Sequence, residues 1–176
     1  MLNYFYQNII KYDLLNKFKY FVLKNIPKIV KMVLNFNLKN FRLKEITNFL
    51  LILELITFKK NNLVKLKTFN CQIKIKKGNI VGCNIILYKK ELYYFLNKLI
   101  FEIFPKNNNC FFNLKNNLEL SFKLKNLISF FEIEKKYYLF NVLSDFNVFI
   151  LTTTKTQIEL VFLLSCIKLS VKQLDL

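Results

Sequence analysis

The chain has 176 residues and a formal net charge of +17, from 28 basic residues against 11 acidic ones. This length suits one domain with a substantial core, and a hydrophobic fraction of 53% excludes an intrinsically disordered protein. The excess of positive charge indicates a polyanionic partner, with nucleic acid favoured first and an anionic membrane second.

The composition points to an organellar gene. Alanine, tryptophan and histidine are absent, arginine occurs once at Arg42, and the residues with AT-rich codons dominate. We infer strong AT pressure on the gene, and its severity favours a mitochondrion over a plastid. Since the N-terminus shows neither a transit-peptide nor a signal-peptide pattern, we expect the chain to be encoded and made inside the organelle.

The sequence carries no pattern of an enzyme, a metal site or a membrane span. The four cysteines form no CxxC pair and no histidine accompanies them, so we expect small apolar core residues, no metal and no cofactor. Glu132 and Glu134 alternate on a segment predicted to be extended, where a surface role is expected because no nucleophile lies near them. The apolar runs are far shorter than the roughly 18 residues that a membrane helix needs.

The N-terminal part predicts a helix over 3–20, within a helical segment 1–25, and then a strand over 28–38 that begins after Pro27. The residues expected on the buried side of this helix are Phe5, Ile9, Tyr12, Leu15 and Phe18. Alternation places four apolar residues on one strand face, namely Val30, Met32, Leu34 and Phe36. The other face presents Lys31 and Asn35 to solvent or RNA.

A second helix is predicted over 42–57, with a buried stripe of Leu43, Ile46, Leu50 and Leu53. A basic stretch at 65–83 follows it, and no acidic residue occurs between Glu54 and Glu91. We predict a two-stranded ribbon that turns near 77–79 and returns through 81–88. Lysines at alternate positions suit a nucleic-acid backbone, but a solvated strand face accounts for them about equally well.

The C-terminal half predicts a helix over 91–104, stopped by Pro105, then strands near 111–112 and 118–125. A strand over 146–154 leads into a helix, where Thr156 and Glu159 have capping-box spacing. The apolar contacts expected from this helix are Ile158, Val161, Phe162 and Leu169. Interleaved helices and antiparallel hairpins predict an α+β fold in a single domain over 1–176.

Five motifs, in order, resemble the bacterial-type large-subunit ribosomal protein L five, which joins 5S rRNA to the central protuberance. They are Ile26-Pro27-Lys28-Ile29 leading to Leu34-Asn35, the basic stretch 65–83, Gly82-Cys83 before a strand, the helix 91–104 closed by Pro105-Lys106, and Leu151-Thr152-Thr153-Thr154-Lys155-Thr156. The chain departs from the family's pattern at Cys71-Gln72, where the family has a small residue and glycine, and at 107–109, where a longer loop is expected.

The resemblance implies a mostly antiparallel sheet with helices packed on one face and a protruding basic loop at 65–83. It also implies a structural, non-catalytic role. The implied rRNA-binding residues are Lys31, Asn35, Asn37, Lys59, Lys60, Lys65, Lys67 and Thr68. The implied tRNA-contacting loop contains Asn70, Gln72, Lys74, Lys76, Lys77, Gly78 and Asn79.

The partners implied are large-subunit rRNA, 5S rRNA where the ribosome contains it, P-site tRNA, and neighbouring proteins of the central protuberance and the small-subunit head. The competing hypothesis is a peripheral organellar membrane protein that binds anionic lipid through its basic and aromatic surface. The predicted helices argue against it, because their apolar stripes suit a protein core rather than a membrane surface.

Overall fold

The structure is a computed structural model that describes residues 2–37, 43–67, 76–106, 112–115, 118–125, 127–140 and 146–169. The helices are α1 (Leu2–Phe5), α2 (Lys11–Lys17), α3 (Leu43–Thr57), α4 (Lys89–Lys98), α5 (Phe131–Glu134) and α6 (Gln157–Cys166). A π-helical turn, Tyr6–Ile10, joins α1 to α2, and a second one, Leu99–Ile103, extends α4. Short 3-10 turns occupy Leu23–Asn25, Leu127–Ser129 and Tyr137–Leu139.

Six strands form one sheet, and they are β1 (Ile29–Asn37), β2 (Asn62–Lys65), β3 (Ile80–Tyr88), β4 (Phe112–Lys115), β5 (Glu119–Leu124) and β6 (Phe146–Thr152). Their order across the sheet is β2-β3-β1-β6-β5-β4, and the pairs β2–β3 and β4–β5 are antiparallel. The amides of Thr153 and Thr152, at the end of β6, donate to the carbonyls of Lys28 and Leu118, just before β1 and β5. The predicted α+β class and mostly antiparallel sheet are confirmed.

The chain divides into two compact units. The first comprises residues 1–32, 87–123 and 148–176, and the second comprises 33–86 and 124–147. The prediction that 1–176 forms a single domain therefore stays a prediction. Within the described ranges, no helix combines the length and the apolar character that crossing a bilayer requires.

The core of the first unit forms where the N-terminal helices contact α4. The ring of Tyr6 lies 6.4 Å from that of Tyr93, and its hydroxyl donates to the carbonyl of Pro27 at 2.7 Å. Burial, assisted by Tyr93, raises the pKa of Tyr6 to about 12. On α4 and its π-helical extension, Leu92, Phe95, Leu96, Leu99 and Ile103 are buried as predicted, while Ile100 is half-buried.

The core of the second unit is aromatic. Phe36 of β1 stacks on Phe49 of α3 at 4.8 Å and lies 5.2 Å from Phe146 of β6. The ring centre of Phe130 lies 6.2 Å from that of Phe146. Cys83 is also buried, as predicted for a small core residue, and burial raises the pKa of its thiol to about 12. Cys166 is half-buried, and Cys71 and Cys110 lie outside the described residues.

The predicted buried face of the N-terminal helix is wrong. Ile9 and Tyr12 are 46% and 60% exposed, whereas Ile10 and Leu14 are fully buried. The π-helical turn explains the shift, because the amide of Lys11 donates to the carbonyl five residues back and so rotates the residues that follow. The helix also ends at Lys17 rather than at residue 20, since the backbone at Phe18 is extended.

Two predicted faces in strand β1 and helix α3 need smaller corrections. Met32, Leu34 and Phe36 are buried as predicted, but Val30 is exposed. Regular alternation of exposed and buried side chains begins only at Lys31. In α3 the buried apolar residues are Ile46, Phe49, Ile52, Leu53 and Ile56, so two predicted positions are confirmed. Leu50 is half-buried instead, and the side chain of Leu43 lies outside the description.

Two segments of the C-terminal half also differ from prediction. Glu132 and Glu134 lie in helix α5, because buried Leu127, Phe130 and Ile133 recur every three residues. The buried apolar residues of α6 and the turn after it are Leu160, Leu163, Leu164, Ile167 and Leu169. Of the contacts predicted there only Leu169 is buried; Val161 and Phe162 are half-buried and Ile158 is exposed. Helix α6 is apolar on most sides, so spacing alone could not select its buried face.

The predicted capping box at the start of α6 is confirmed and gives a stability prediction. The amide of Glu159 donates to Thr156 Oγ1 at 3.3 Å, and Glu159 Oε2 accepts from the amides of Thr156 and Lys155. We expect Thr156→Ala to lower the free energy of unfolding by about 1 kcal/mol, because one helix donor loses its acceptor. Urea denaturation of the full chain measures this change.

The matched control is Ser165→Ala at the other end of α6, where an exposed hydroxyl bonds back to the carbonyl of Phe162 and caps no helix donor. We expect this variant to keep the stability of the parent chain. Equal stabilities for the two variants would contradict the capping role of Thr156.

Candidate nucleic-acid interface

The basic stretch forms a two-stranded hairpin in the second unit. Strand β2 pairs with β3 with Leu63 opposite Cys83, and the register shifts by one residue between Val64 and Lys65. Two further backbone hydrogen bonds extend the ladder. The amide of Leu66 donates to the carbonyl of Asn79, and the amide of Gly78 donates to the carbonyl of Leu66, each at 2.9 Å. The predicted ribbon is therefore confirmed at its base.

A tight turn occupies 76–79, immediately before β3. The amide of Asn79 donates to the carbonyl of Lys76 at 3.3 Å, and Gly78 has a φ of +91°. That positive φ at the third position is typical of a type II turn, which favours glycine there. The turn presents Lys76, Lys77 and Asn79 to solvent. The predicted turn at 77–79 is present, but it does not join the two strands of the ribbon, because Lys65 already lies opposite Ile80 and Leu66 bonds to Gly78 and Asn79.

Four lysines of this hairpin are exposed and carry no described counter-charge. They are Lys65, Lys67, Lys76 and Lys77. Among the residues that the structure describes, none of their ammonium groups has a hydrogen bond or an ion pair. Because no acidic residue lies in the sequence between 54 and 91, the positive potential of this surface is not neutralised locally. Such a surface can bind a chain of phosphates.

The remaining loop residues predicted to contact RNA fall outside the description. They are Thr68, Asn70, Gln72 and Lys74. The hairpin brings together residues at both ends of the predicted 65–83 loop, and the central part of that loop lies outside the described residues.

Lys59 differs from the exposed lysines, because its side chain takes part in the fold. Its Nζ donates to the carbonyl of Ile86 on β3 at 3.1 Å, and the residue is half-buried. The next residues are tied to α3, since Asn61 Nδ2 donates to Leu50 and the Asn61 amide donates to Glu54. Lys60 points outward between these anchors. Sequence reasoning missed the structural part of the role of Lys59.

The polar residues of β1 lie on its half-exposed face, as predicted. Lys31 in the first unit is half-exposed next to fully buried Met32, and Asn35 in the second is half-exposed between fully buried Leu34 and Phe36. Asn37 ends the strand, and its side chain lies outside the description. The side chains of Lys31 and Asn35 can therefore each be presented to a ligand in their own units.

A pair of asparagines was missed at the sequence level. Asn62 of β2 lies opposite Asn84 of β3 in the hairpin register, and both side chains reach the surface. Paired amides offer donors and acceptors that can contact phosphate, sugar or base edges. The available signal was Asn84, which is polar at an alternate position of a strand that is otherwise apolar there.

Comparison with known proteins shows which class of protein the chain belongs to. The chain matches no protein-family model. It is 37% identical to the large ribosomal subunit protein uL5m of Reclinomonas americana, over 91% of each chain. It is 30% identical to the large ribosomal subunit protein uL5 of Nitrosomonas eutropha, over 95% of this chain and 96% of the relative.

A third relative, the uL5 protein of Wolbachia pipientis wMel, is 32% identical over 76% of this chain and 79% of its own length. These relatives are ribosomal proteins. The chain, with its α+β fold and exposed basic hairpin, is therefore a ribosomal protein rather than an enzyme. The chain belongs to the uL5 family of large ribosomal subunit proteins, and among these relatives the mitochondrial form is 37% identical to it. The sequence-level resemblance is confirmed.

The turn at Gly78 gives a testable consequence of this geometry. We expect Gly78→Ala to destabilise the chain by about 1 kcal/mol, because a Cβ is strained at a φ of +91° although no atom lies within 4 Å of it. Urea denaturation measures the change, with Asn79→Ala as the control at an exposed side chain of the same turn. Equal stability for both variants would show that the backbone conformation at residue 78 is not required.

Proposed function

We propose that the chain is a structural constituent of the large subunit of a mitochondrial ribosome, where it binds ribosomal RNA. The observation that carries this proposal is the similarity to uL5m of Reclinomonas americana, which spans 91% of both chains. The exposed lysines of the hairpin support it independently, because they lack described partners and a polyanion would supply them.

The proposed mechanism of rRNA binding is neutralisation of phosphates. Lys65 and Lys67 project from the base of the hairpin, and each phosphate that they neutralise releases counterions into solution. Asn62 and Asn84 lie beside them in the same hairpin and would position the RNA through hydrogen bonds. Affinity then comes from the lysines, and orientation comes from the amides.

The remaining predicted residues complete the proposed rRNA surface. Lys60 is exposed next to the hairpin, and Lys31 and Asn35 are half-exposed on β1. Lys59 would contribute its charge while its Nζ stays bonded to the carbonyl of Ile86. Asn37 and Thr68 belong to the same proposal through the family resemblance. We propose 5S rRNA, where present, and a large-subunit rRNA helix as the bound RNAs in the central protuberance.

The turn at 76–79 is proposed to contact P-site tRNA. Lys76 and Lys77 are exposed in the turn that leads back into β3, and Asn79 adds an exposed amide. Asn70, Gln72 and Lys74 belong to this loop in the family resemblance. Neighbouring proteins of the central protuberance and of the small-subunit head complete the proposed partners.

The mitochondrion is the proposed location, and the organelle's own genome is the proposed source of the gene. The similarity to a mitochondrial relative supports the first part. The absence of alanine and the single arginine support the second, because both follow from AT-rich codons.

Reversing two charges tests the rRNA contact. We expect Lys65→Glu combined with Lys67→Glu to weaken binding to isolated rRNA and to make the dependence of log affinity on log salt shallower by about 2, roughly 1 per lost phosphate contact. Filter binding between low and moderate salt measures both quantities.

The matched control reverses Lys44 and Lys136, which are exposed in the same unit but lie outside the hairpin. It should keep the salt slope of the parent chain. A slope that is unchanged in the hairpin variant, or lowered equally in the control, would contradict a phosphate contact at Lys65 and Lys67. Equal binding to anionic vesicles and to rRNA would favour the membrane hypothesis instead.

Neutralising the turn tests the tRNA contact. We expect Lys76→Gln combined with Lys77→Gln to leave large-subunit assembly intact and to lower the affinity of the assembled ribosome for P-site tRNA. The physical reason is the loss of two exposed cations at the turn, while the ladder that holds the hairpin is unchanged. Sedimentation measures assembly, and tRNA binding to purified ribosomes measures the contact. Failed assembly would show that the turn acts on the subunit and not on tRNA.

A further inference from the structure

Three consecutive apolar side chains project from the first unit into solvent. Phe21 is fully exposed, Leu23 is 71% exposed and Val22 is 50% exposed. Single exposed apolar residues are common on protein surfaces, whereas three exposed in succession point to an interaction site. We call these three residues the apolar knob.

The backbone of the apolar knob is held on its C-terminal side. Residues Leu23–Asn25 form a 3-10 turn in which the amide of Asn25 donates to the carbonyl of Val22 at 2.9 Å. The chain then enters the core through Ile26, which is 3% exposed. The carbonyl of Pro27, next to it, accepts the hydroxyl of Tyr6.

The N-terminal side of the knob is anchored by aromatic contacts. Phe18 packs edge-on against Phe162 of α6 at 5.7 Å and lies 6.3 Å from the ring of Tyr20. Lys17 Nζ lies 4.0 Å from the centre of the Phe162 ring. Because both ends are fixed, the knob is presented in a defined conformation and little conformational entropy would be lost on binding.

The charges around the knob describe its partner. Lys19 and Lys24 flank it and are exposed, and Lys28 is exposed nearby in the sequence. No acidic residue occurs in the sequence between Asp13 and Glu45, and the Glu159 carboxylate near Tyr20 is buried and does not reach the surface around the knob. A complementary surface therefore combines an apolar pocket with a rim of carboxylates.

The side chains of the knob favour protein over RNA as the partner. An unstacked base could cover Phe21, but the branched aliphatic side chains of Val22 and Leu23 find apolar contact in a protein pocket and not on a phosphate backbone. A membrane is disfavoured because three residues are a small anchor compared with an amphipathic helix.

We propose that Phe21, Val22 and Leu23 dock into an apolar, acid-rimmed pocket of a neighbouring protein of the large subunit. This inference rests on the proposed function for the location of the partner. It adds a protein-binding surface in the first unit that is separate from the basic hairpin of the second.

Photo-crosslinking in assembled subunits tests the docking. The full chain carrying benzoylphenylalanine in place of Phe21 is incorporated into large subunits, and a second preparation carries it in place of Tyr4, which is 73% exposed in the same unit. We expect a crosslink from position 21 to one protein, at a peptide that contains apolar residues next to Asp or Glu. Lys19→Glu combined with Lys24→Glu should lower its yield severalfold, since the rim would then be repelled.

The outcomes separate this inference from the proposed function. Failure of the chain to enter large subunits would refute the proposed function, and the inference with it. Normal entry with a crosslink to RNA or lipid, or with no more protein crosslink than at position 4, would overturn the docking inference alone.

A truncated knob gives a second measurement. Phe21→Ser combined with Val22→Ser and Leu23→Ser should leave the stability and rRNA affinity of the chain unchanged, because all three residues are at least half-exposed. The crosslinked partner should leave these subunits about tenfold more readily, as expected when apolar anchors are removed. Unchanged retention of that partner would contradict the docking role.

Discussion

The packing of Phe36 decides which side of β1 faces outward. Its ring is fully buried between Phe49 and Phe146, at 4.8 and 5.2 Å. Since side chains alternate along a strand, burying Phe36 turns Asn35 to the opposite, half-exposed face. A slip of one residue would bury that amide and expose the aromatic ring, so this core protects the register. The polar surface of the strand is thus a consequence of its apolar one.

The basic hairpin obeys a different constraint, because its geometry and its charges have separate causes. Backbone bonds and the positive φ of Gly78 hold the hairpin, whereas the ammonium groups of Lys65, Lys67, Lys76 and Lys77 make no described hydrogen bond or ion pair. Neighbouring exposed cations repel each other and do not stabilise the chain alone. The proposed contact with rRNA phosphates accounts for their presence. Lys59 is the exception, since it joins the fold through the carbonyl of Ile86.

The sequence predicted local structure correctly where a residue type is needed for a single physical reason, such as a cap, a turn or a buried strand face. Alternation in β1 after Lys31, the capping box at Thr156 and the glycine turn at Gly78 all appear as expected. Predictions from helical spacing were wrong where the helix is not a regular α-helix or where apolar residues lie on most of its sides. The π-helical turn Tyr6–Ile10 rotates the buried face onto Ile10, and the mostly apolar α6 leaves Ile158 exposed. At the site, exposure of the lysines was predictable from charge, but the bond from Lys59 depends on how distant segments meet.

The central claim is that the hairpin lysines meet ribosomal phosphates, and a high-resolution map of the assembled large subunit tests it most directly. The decisive observation is the density facing the ammonium groups of Lys65 and Lys67. Our account predicts rRNA phosphate oxygens within about 4 Å of both groups, the distance of an ion pair. Solvent or a protein surface at both positions would contradict it.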